Sequence, residues 1–270
     1  MNYLDLFSGI GGFALGAYWA GWRFERHYFS EIDPWCCALY QRRFPDAIPL
    51  GEIREIDGKA LVQDAAGMER EARAEIKGEI RTISEGEREY GHSNRSSETW
   101  ILTGGFPCQD ISVAGKGAGI KGLRSGLWFE YARLIGEIRP RYAIMENVGA
   151  LTRRGLDRVL GSLAEIGYDA QWSDIRASDI GAPHRRERIW IVAYPGLYTA
   201  RPSKRVHREK AERSQASADS PNGNWWKSEP DVGRVAHGVP ARVDRLRGLG
   251  NAIVPQIAEM IFRELKESEA

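Results

Sequence analysis

The sequence predicts an α/β domain with a largely parallel sheet, and three observations carry that expectation. Short apolar runs alternate with segments of helical spacing, a glycine-rich turn follows the first run, and 270 residues at 42% hydrophobic content are enough to bury one large core. The 28% charged fraction, with 10% aromatics and nine Trp, excludes an intrinsically disordered chain, which lacks the apolar surface to offset ordering entropy.

The first run, Asn2 to Phe7, ends in Ser8-Gly9-Ile10-Gly11-Gly12 and is followed by large apolar residues at helical spacing from Phe13 to Ala20, which reads as strand, turn and helix. A second run, Arg23 to Ser30, leads to Glu31-Ile32-Asp33-Pro34, where Asp33 can cap and Pro34 can start a helix through Arg43. Further strands are expected at Trp100–Thr103, Tyr142–Glu146, Ala170–Arg176 and Glu187–Tyr194, and helices at Leu127–Ile138, Arg153–Ile166 and Ala252–Lys266. Two stretches break the rhythm. Arg54–Thr99 is polar, with an exposed helix expected near Gln63–Lys77, and reads as an insertion; Gly196–Arg245 is rich in Pro, Ser, Gly and Arg and reads as a small loop-built region.

No apolar stretch reaches the roughly 20 residues of a membrane helix, and the N-terminal residues run straight into the first strand without a leader pattern, so neither secretion nor membrane insertion is expected. Three cysteines, Cys36, Cys37 and Cys108, cannot form a fully paired framework, which suits a reducing, cytoplasmic compartment. The net charge of +1 conceals an asymmetry: Arg176–Gly250 holds fifteen Lys and Arg against eight Asp and Glu. Such a segment can neutralise phosphates, or it can be a solvated loop.

The candidate chemistry lies in the turns. Gly9, Gly11 and Gly12 with Glu31 fit either a nucleoside-cofactor site, with an acidic residue for the ribose, or a plain tight turn; the G-x-G-G spacing is not the usual dinucleotide fingerprint. Gly105-Phe106-Pro107-Cys108-Gln109-Asp110-Ile111-Ser112 follows a predicted strand and places a thiol at the edge where parallel sheets bind ligands, unless Cys108 is a small core residue. Glu146 ends another predicted strand, as a functional carboxylate or a solvated salt-bridge partner. Arg186 and Arg188 enter a third, where alternation puts both on one face, and Gly250-Asn251-Ala252 opens the last helix, with Asn251 a natural cap.

In this order the motifs resemble those of the C5-cytosine DNA methyltransferases, of bacterial or phage type: Asp5 to Phe13, Glu31-Ile32-Asp33, Gly105 to Ser112, Glu146-Asn147-Val148, Arg186-Glu187-Arg188 and Gly250-Asn251-Ala252. The resemblance implies a Rossmann-like S-adenosylmethionine-dependent methyltransferase fold with a small irregular target-recognition region. It divides the chain into a catalytic and cofactor domain at 1–195, a recognition region at 196–245 and a returning C-terminal helix at 246–270. It implies that Cys108 adds to C6 of a cytosine flipped out of double-stranded DNA, that Glu146 serves N3 and the exocyclic amine, and that Arg188 holds O2. Arg186 is implied at the nearby phosphate or thiolate. For S-adenosylmethionine it implies Phe7 on the adenine, Gly11 and Gly12 at the methionine part, Glu31 on the ribose and Ile32 in the adenine pocket, with Gly9 and Ile10 also in the cofactor site. Glu52 stands where the family has Asp against the adenine amine, and Pro107, Leu127, Asn251 and Ala252 complete the site.

The sequence departs from the family at Glu52, at Ala252 where Ser is frequent, and at His184 where Gln is frequent. The recognition region of about 50 residues is short, which implies a target of about two to four base pairs, with Arg201, Arg205, Arg208, Arg234 and Arg242 as phosphate or guanine contacts. Monomeric action and a cognate restriction endonuclease as functional partner are further expectations. Three alternatives fit the sequence less well. The tRNA-modifying branch is disfavoured because Phe106 precedes Pro107 and Asp110-Ile111 follows Gln109; a silent DNA-binding regulator is disfavoured because Cys108, Glu146 and the cofactor glycines are present; a nucleotide-dependent oxidoreductase lacks its fingerprint.

Overall fold

The computed structural model describes residues 1–67, 99–107, 126–196 and 251–269. A seven-stranded sheet forms the centre, in the order β3-β2-β1-β4-β5-β7-β6. Its strands are β1 (Asn2–Leu6), β2 (Arg26–Ser30), β3 (Ile48–Pro49), β4 (Trp100–Gly105), β5 (Tyr142–Val148), β6 (Tyr168–Arg176) and β7 (Glu187–Pro195). The ladders among β1 to β5 are all parallel, while β7 lies antiparallel between β5 and β6. A helical crossover carries the chain from β5 to β6, and β7 then returns to fill the gap, so its first residues reach the edge where β1, β4 and β5 end.

Helices among the described residues include α1 (Gly12–Trp19), α2 (Pro34–Arg43), α3 (Gly126–Ile138), α4 (Leu151–Arg154), α5 (Leu156–Glu165) and α6 (Pro255–Glu267). Strand alternation divides the core into two layers. Leu4, Leu6, Leu102 and Met145 join Trp128, Leu134, Val159 and Leu163 of α3 and α5 on one face. Tyr3, Phe29, Ile101 and Ile144 join Phe13, Tyr40, Ile257 and Phe262 of α1, α2 and α6 on the other. This three-layer arrangement is the predicted α/β architecture, with sheet residues buried on both faces.

Several boundaries differ from the sequence reading for local reasons. The helix expected at Arg153–Ile166 is two helices, broken at Gly155. The last helix starts at Pro255, with Val254 rather than Asn251 at the cap, because proline suits a first helical turn whose amide needs no partner. Residues 58–67 are already helical, and Ile56, Leu61 and Ala65, within the stretch expected as an insertion, are buried in the core. Arg133 of α3 secures this stretch by donating to the carbonyls of Ile53 and Ile56. Cys108, residues 109–123 and the arginines of the expected recognition region lie outside the described residues.

Candidate active site

The strand ends gather the candidate residues at one edge. After Leu6 the backbone turns sharply: Phe7, Gly9 and Gly11 have φ of 50°, 53° and 83°. Glycine is required at Gly11 twice over, since its left-handed conformation resists a side chain and a Cβ there would stand 2.8 Å from the Phe44 ring. At Gly12 the requirement is proximity, because a Cβ would stand 2.7 Å from the Ile253 carbonyl oxygen. The turn is thereby pressed between α2 and the segment leading into α6. Ile10 and Phe7 are half-buried, and Phe7 stacks at 6.4 Å on Tyr131.

Glu31, just past β2, reaches this turn. Its Oε2 accepts from the Gly9 amide at 2.8 Å, and its Oε1 accepts from the amides of Ile32 and Asp33, both at 2.8 Å. Asp33 caps α2 by accepting from Trp35 and Cys36, as the sequence predicts. The second and first motifs are therefore joined by one carboxylate. Three further features fit an adenosyl cofactor at this edge. The Ser8 hydroxyl is buried without a partner among the described residues, the space beside Gly9 is open, and Ile32 is 70% exposed. A bound nucleoside would supply a partner for the first and cover the last.

Glu52 follows Gly51, whose carbonyl accepts from Ser30 Oγ at 2.7 Å, so the stretch that carries Glu52 is fastened to the end of β2. The Glu52 carboxylate itself caps the short turn Ile53–Glu55 and pairs with Arg54 at 3.3 Å. Leu127 packs against the core at the start of α3, Pro107 is exposed, Asn251 is exposed and Ala252 half-buried.

The second half of the site centres on Glu146. It lies opposite Gly105 in the β4–β5 ladder, three residues before Cys108 in sequence, and its Oε1 accepts from Arg188 Nε at 2.9 Å. Burial pushes the Glu146 carboxyl up to about 7, although Arg188 and Arg186 both pull it down. A carboxyl so placed can hold a proton near neutrality and give it to a base ring. Arg186 lies just outside β7, with φ of 31°, and its Nη2 donates to the Ala252 carbonyl at 2.6 Å. Both arginines act on Glu146, although only Arg188 belongs to the strand, so alternation does not account for Arg186.

Sequence reasoning gave no role to two residues the structure makes important. Asn147 is buried, and its Nδ2 donates to the Phe106 carbonyl at 2.9 Å, fixing the chain two residues before Cys108. Its position beside Glu146 in the quoted motif was the available signal. Ser8 is the other, in the turn between the assigned Phe7 and Gly9.

The chain matches the family described as C-5 cytosine-specific DNA methylase over residues 1–68 and 69–232. It belongs to that family. Among similar proteins are the Type II methyltransferase M1.ScrFI of Lactococcus lactis subsp. cremoris, 33% identical over 195 residues covering 71% of this chain and 41% of the relative, and M.NgoBI of Neisseria gonorrhoeae, 30% identical over 71% of this chain and 50% of the relative. The chain thus spans about half the length, or less, of these relatives. A DNMT2 variant from Spodoptera frugiperda has the same fold, with a TM-score of 0.52 at 18% identity over 73% of this chain and 51% of that one. Among the described residues, no helix is long and apolar enough to cross a membrane.

Proposed function

We propose that the protein is a DNA cytosine-5 methyltransferase, acting on double-stranded DNA with S-adenosylmethionine as methyl donor. The observation that carries this reading is the Glu146–Arg188 pair, a proton-holding carboxyl beside a guanidinium, at the strand edge that also holds the glycine turn and Glu31.

Cytosine C5 is a poor nucleophile, and the residues answer that difficulty. The Cys108 thiolate adds to C6, breaking the C5–C6 double bond and raising electron density at C5. Glu146 delivers a proton to N3, which absorbs the charge of the adduct, and accepts from the exocyclic amine. Arg188, already held by Glu146, presents its remaining N–H groups to O2. The cofactor, when bound, supplies an electrophilic methyl group to C5. A base then removes the C5 proton, the C5–C6 double bond reforms as the thiolate leaves, and N3 returns its proton to Glu146. Gly9 to Gly12 and Ser8 hold the amino-acid part of the cofactor, Glu31 the ribose, and Phe7 and Ile32 the adenine. A cytosine reaches Cys108 only when rotated out of the duplex.

The basic segment between Arg176 and Gly250 suits the DNA backbone, and the Type II names of the relatives support a restriction-modification setting with a cognate endonuclease. Monomeric action accords with a single asymmetric basic region. The test is transfer of a labelled methyl group from S-adenosylmethionine to duplex DNA, followed by nucleoside analysis. Label in 5-methylcytosine supports the reading; label confined to an RNA substrate, or to another nucleoside, overturns it.

A further inference from the structure

Asp5 is an anomaly in β1. All five residues of the strand are buried, and Asp5 has no exposure at all, in a position where apolar alternation would suit a hydrophobe. In the ladders it lies opposite Thr103 of β4 and Phe29 of β2. Thr103 Oγ1 donates to its Oδ1 at 2.8 Å, Tyr40 Oη donates to its Oδ2 at 3.1 Å, and the Ala14 backbone supplies a further hydrogen bond.

The second layer of this network fixes its direction. Tyr3 Oη lies 2.7 Å from Thr103 Oγ1, His27 Nε2 lies 2.8 Å from Tyr40 Oη, and Tyr18 Oη lies 3.3 Å from His27 Nδ1. Thr103 and Tyr40 each use their one proton on Asp5, so Tyr3 donates to Thr103 and His27 donates to Tyr40. That leaves Nδ1 to accept from Tyr18. His27 is then neutral, in agreement with burial, which pushes it down to about 4. Every donor points inward to one carboxyl. This direction is that of the ionised carboxyl, which the bonds favour; burial opposes it and pushes Asp5 up to about 8, so the arrangement costs stability that a hydrophobe would not.

The partners show what that cost secures. The N-cap position of α1 is Gly11, which has no side chain to cap the helix, and the Asp5 hydrogen bond to Ala14 takes the place of a cap. Tyr40 belongs to α2, whose first turn is fixed by Asp33 directly after Glu31 and Ile32. Its ring also borders Gly11, at 3.1 Å from where a Cβ would stand. We infer that Asp5 is a positioning residue for the cofactor: its carboxyl clamps the start of α1 to α2, and so sets the distance between the glycine turn and Glu31. The 2.8 Å bond from the Gly9 amide to Glu31 is the site-side consequence. The inference rests on the proposed function for the identity of the ligand.

The test is calorimetric binding of S-adenosylhomocysteine to the full chain and to three variants. Asp5→Asn keeps the volume but loses half the acceptors, and should weaken binding about tenfold while turnover at saturating cofactor stays within about twofold. Tyr40→Phe, which removes only the tie to α2, should weaken binding in the same sense and decides the matter if Asp5→Asn does not fold. Val159→Ala, buried on the opposite face in α5, should lower the Tm yet leave the Kd unchanged. Wild-type affinity in both clamp variants, or equal weakening by Val159→Ala, overturns the inference alone. Failure of the wild-type chain to bind at all overturns the proposed cofactor, and the inference with it.

Discussion

Arg186 donates to the carbonyl oxygen of Ala252 at 2.6 Å, and this bond joins the entry of β7 to the segment leading into α6. The same segment meets Gly12 through Ile253, so a residue from the proposed catalytic half of the site helps to hold the proposed cofactor turn. Arg186→Lys keeps the charge but not the planar fork. It should reduce kcat/KM for the cofactor roughly tenfold. Steady-state kinetics varying S-adenosylmethionine at fixed DNA checks this, and an unchanged value would show that the bond has no part in the site.

Glu146→Gln should lower kcat by about two to three orders of magnitude while leaving cofactor binding intact, because the amide cannot deliver a proton to N3. It should also change the pH dependence of stability. The folded carboxyl is raised to about 7 from an ordinary 4.5. The stability it contributes is thus present below about pH 4.5 and lost as pH rises through about 7, by up to ~3 kcal/mol. Urea midpoints of wild type and variant should therefore diverge across that window, and parallel curves would contradict the raised value.

Gly12→Ala tests the pressure on the turn. The added Cβ meets the Ile253 backbone oxygen at 2.7 Å, and backbone cannot swing aside as a side-chain tip can. A loss of about 1–3 kcal/mol in stability is expected from the overpacking. S-adenosylhomocysteine binding should weaken as well, measured by calorimetry beside thermal unfolding.

The Asn147 side chain should be as necessary as its neighbour Glu146, for a different reason. Asn147→Ala leaves the buried end of β5 without its bond to Phe106 and should cost about 1–3 kcal/mol. Because Phe106 precedes Cys108 by two residues, kcat should fall more than the affinity for cofactor. The reverse pattern would place Asn147 with the cofactor instead.

Much of this was legible in the sequence where function depends on neighbours in the chain. The run into Ser8-Gly9-Ile10-Gly11-Gly12 announced strand, turn and helix, and Asp33-Pro34 announced the start of α2, because capping and turn chemistry are local. The sequence could not show that Glu31 bonds to Gly9, or that Arg188 pairs with Glu146, since those pairs depend on strand order and on the antiparallel return of β7. The split at Gly155 and the late start of α6 were misjudged for the opposite reason. There the apolar periodicity continues while a backbone conformation or a proline decides the boundary. Asp5 was hidden within a quoted motif, as its partners Tyr40 and Thr103 lie 35 and 98 residues away.

Sequencing of 5-methylcytosine in DNA from a methylation-free bacterial host, expressing either the wild-type chain or Cys108→Ala, bears on the whole scheme at once. The wild-type chain should mark cytosines in one short, recurring sequence context, and the Cys108→Ala host should show none. Methylation that persists in the Cys108→Ala host would remove the thiol from the mechanism, and unmarked DNA with a soluble, cofactor-binding wild-type chain would contradict DNA methylation as its function.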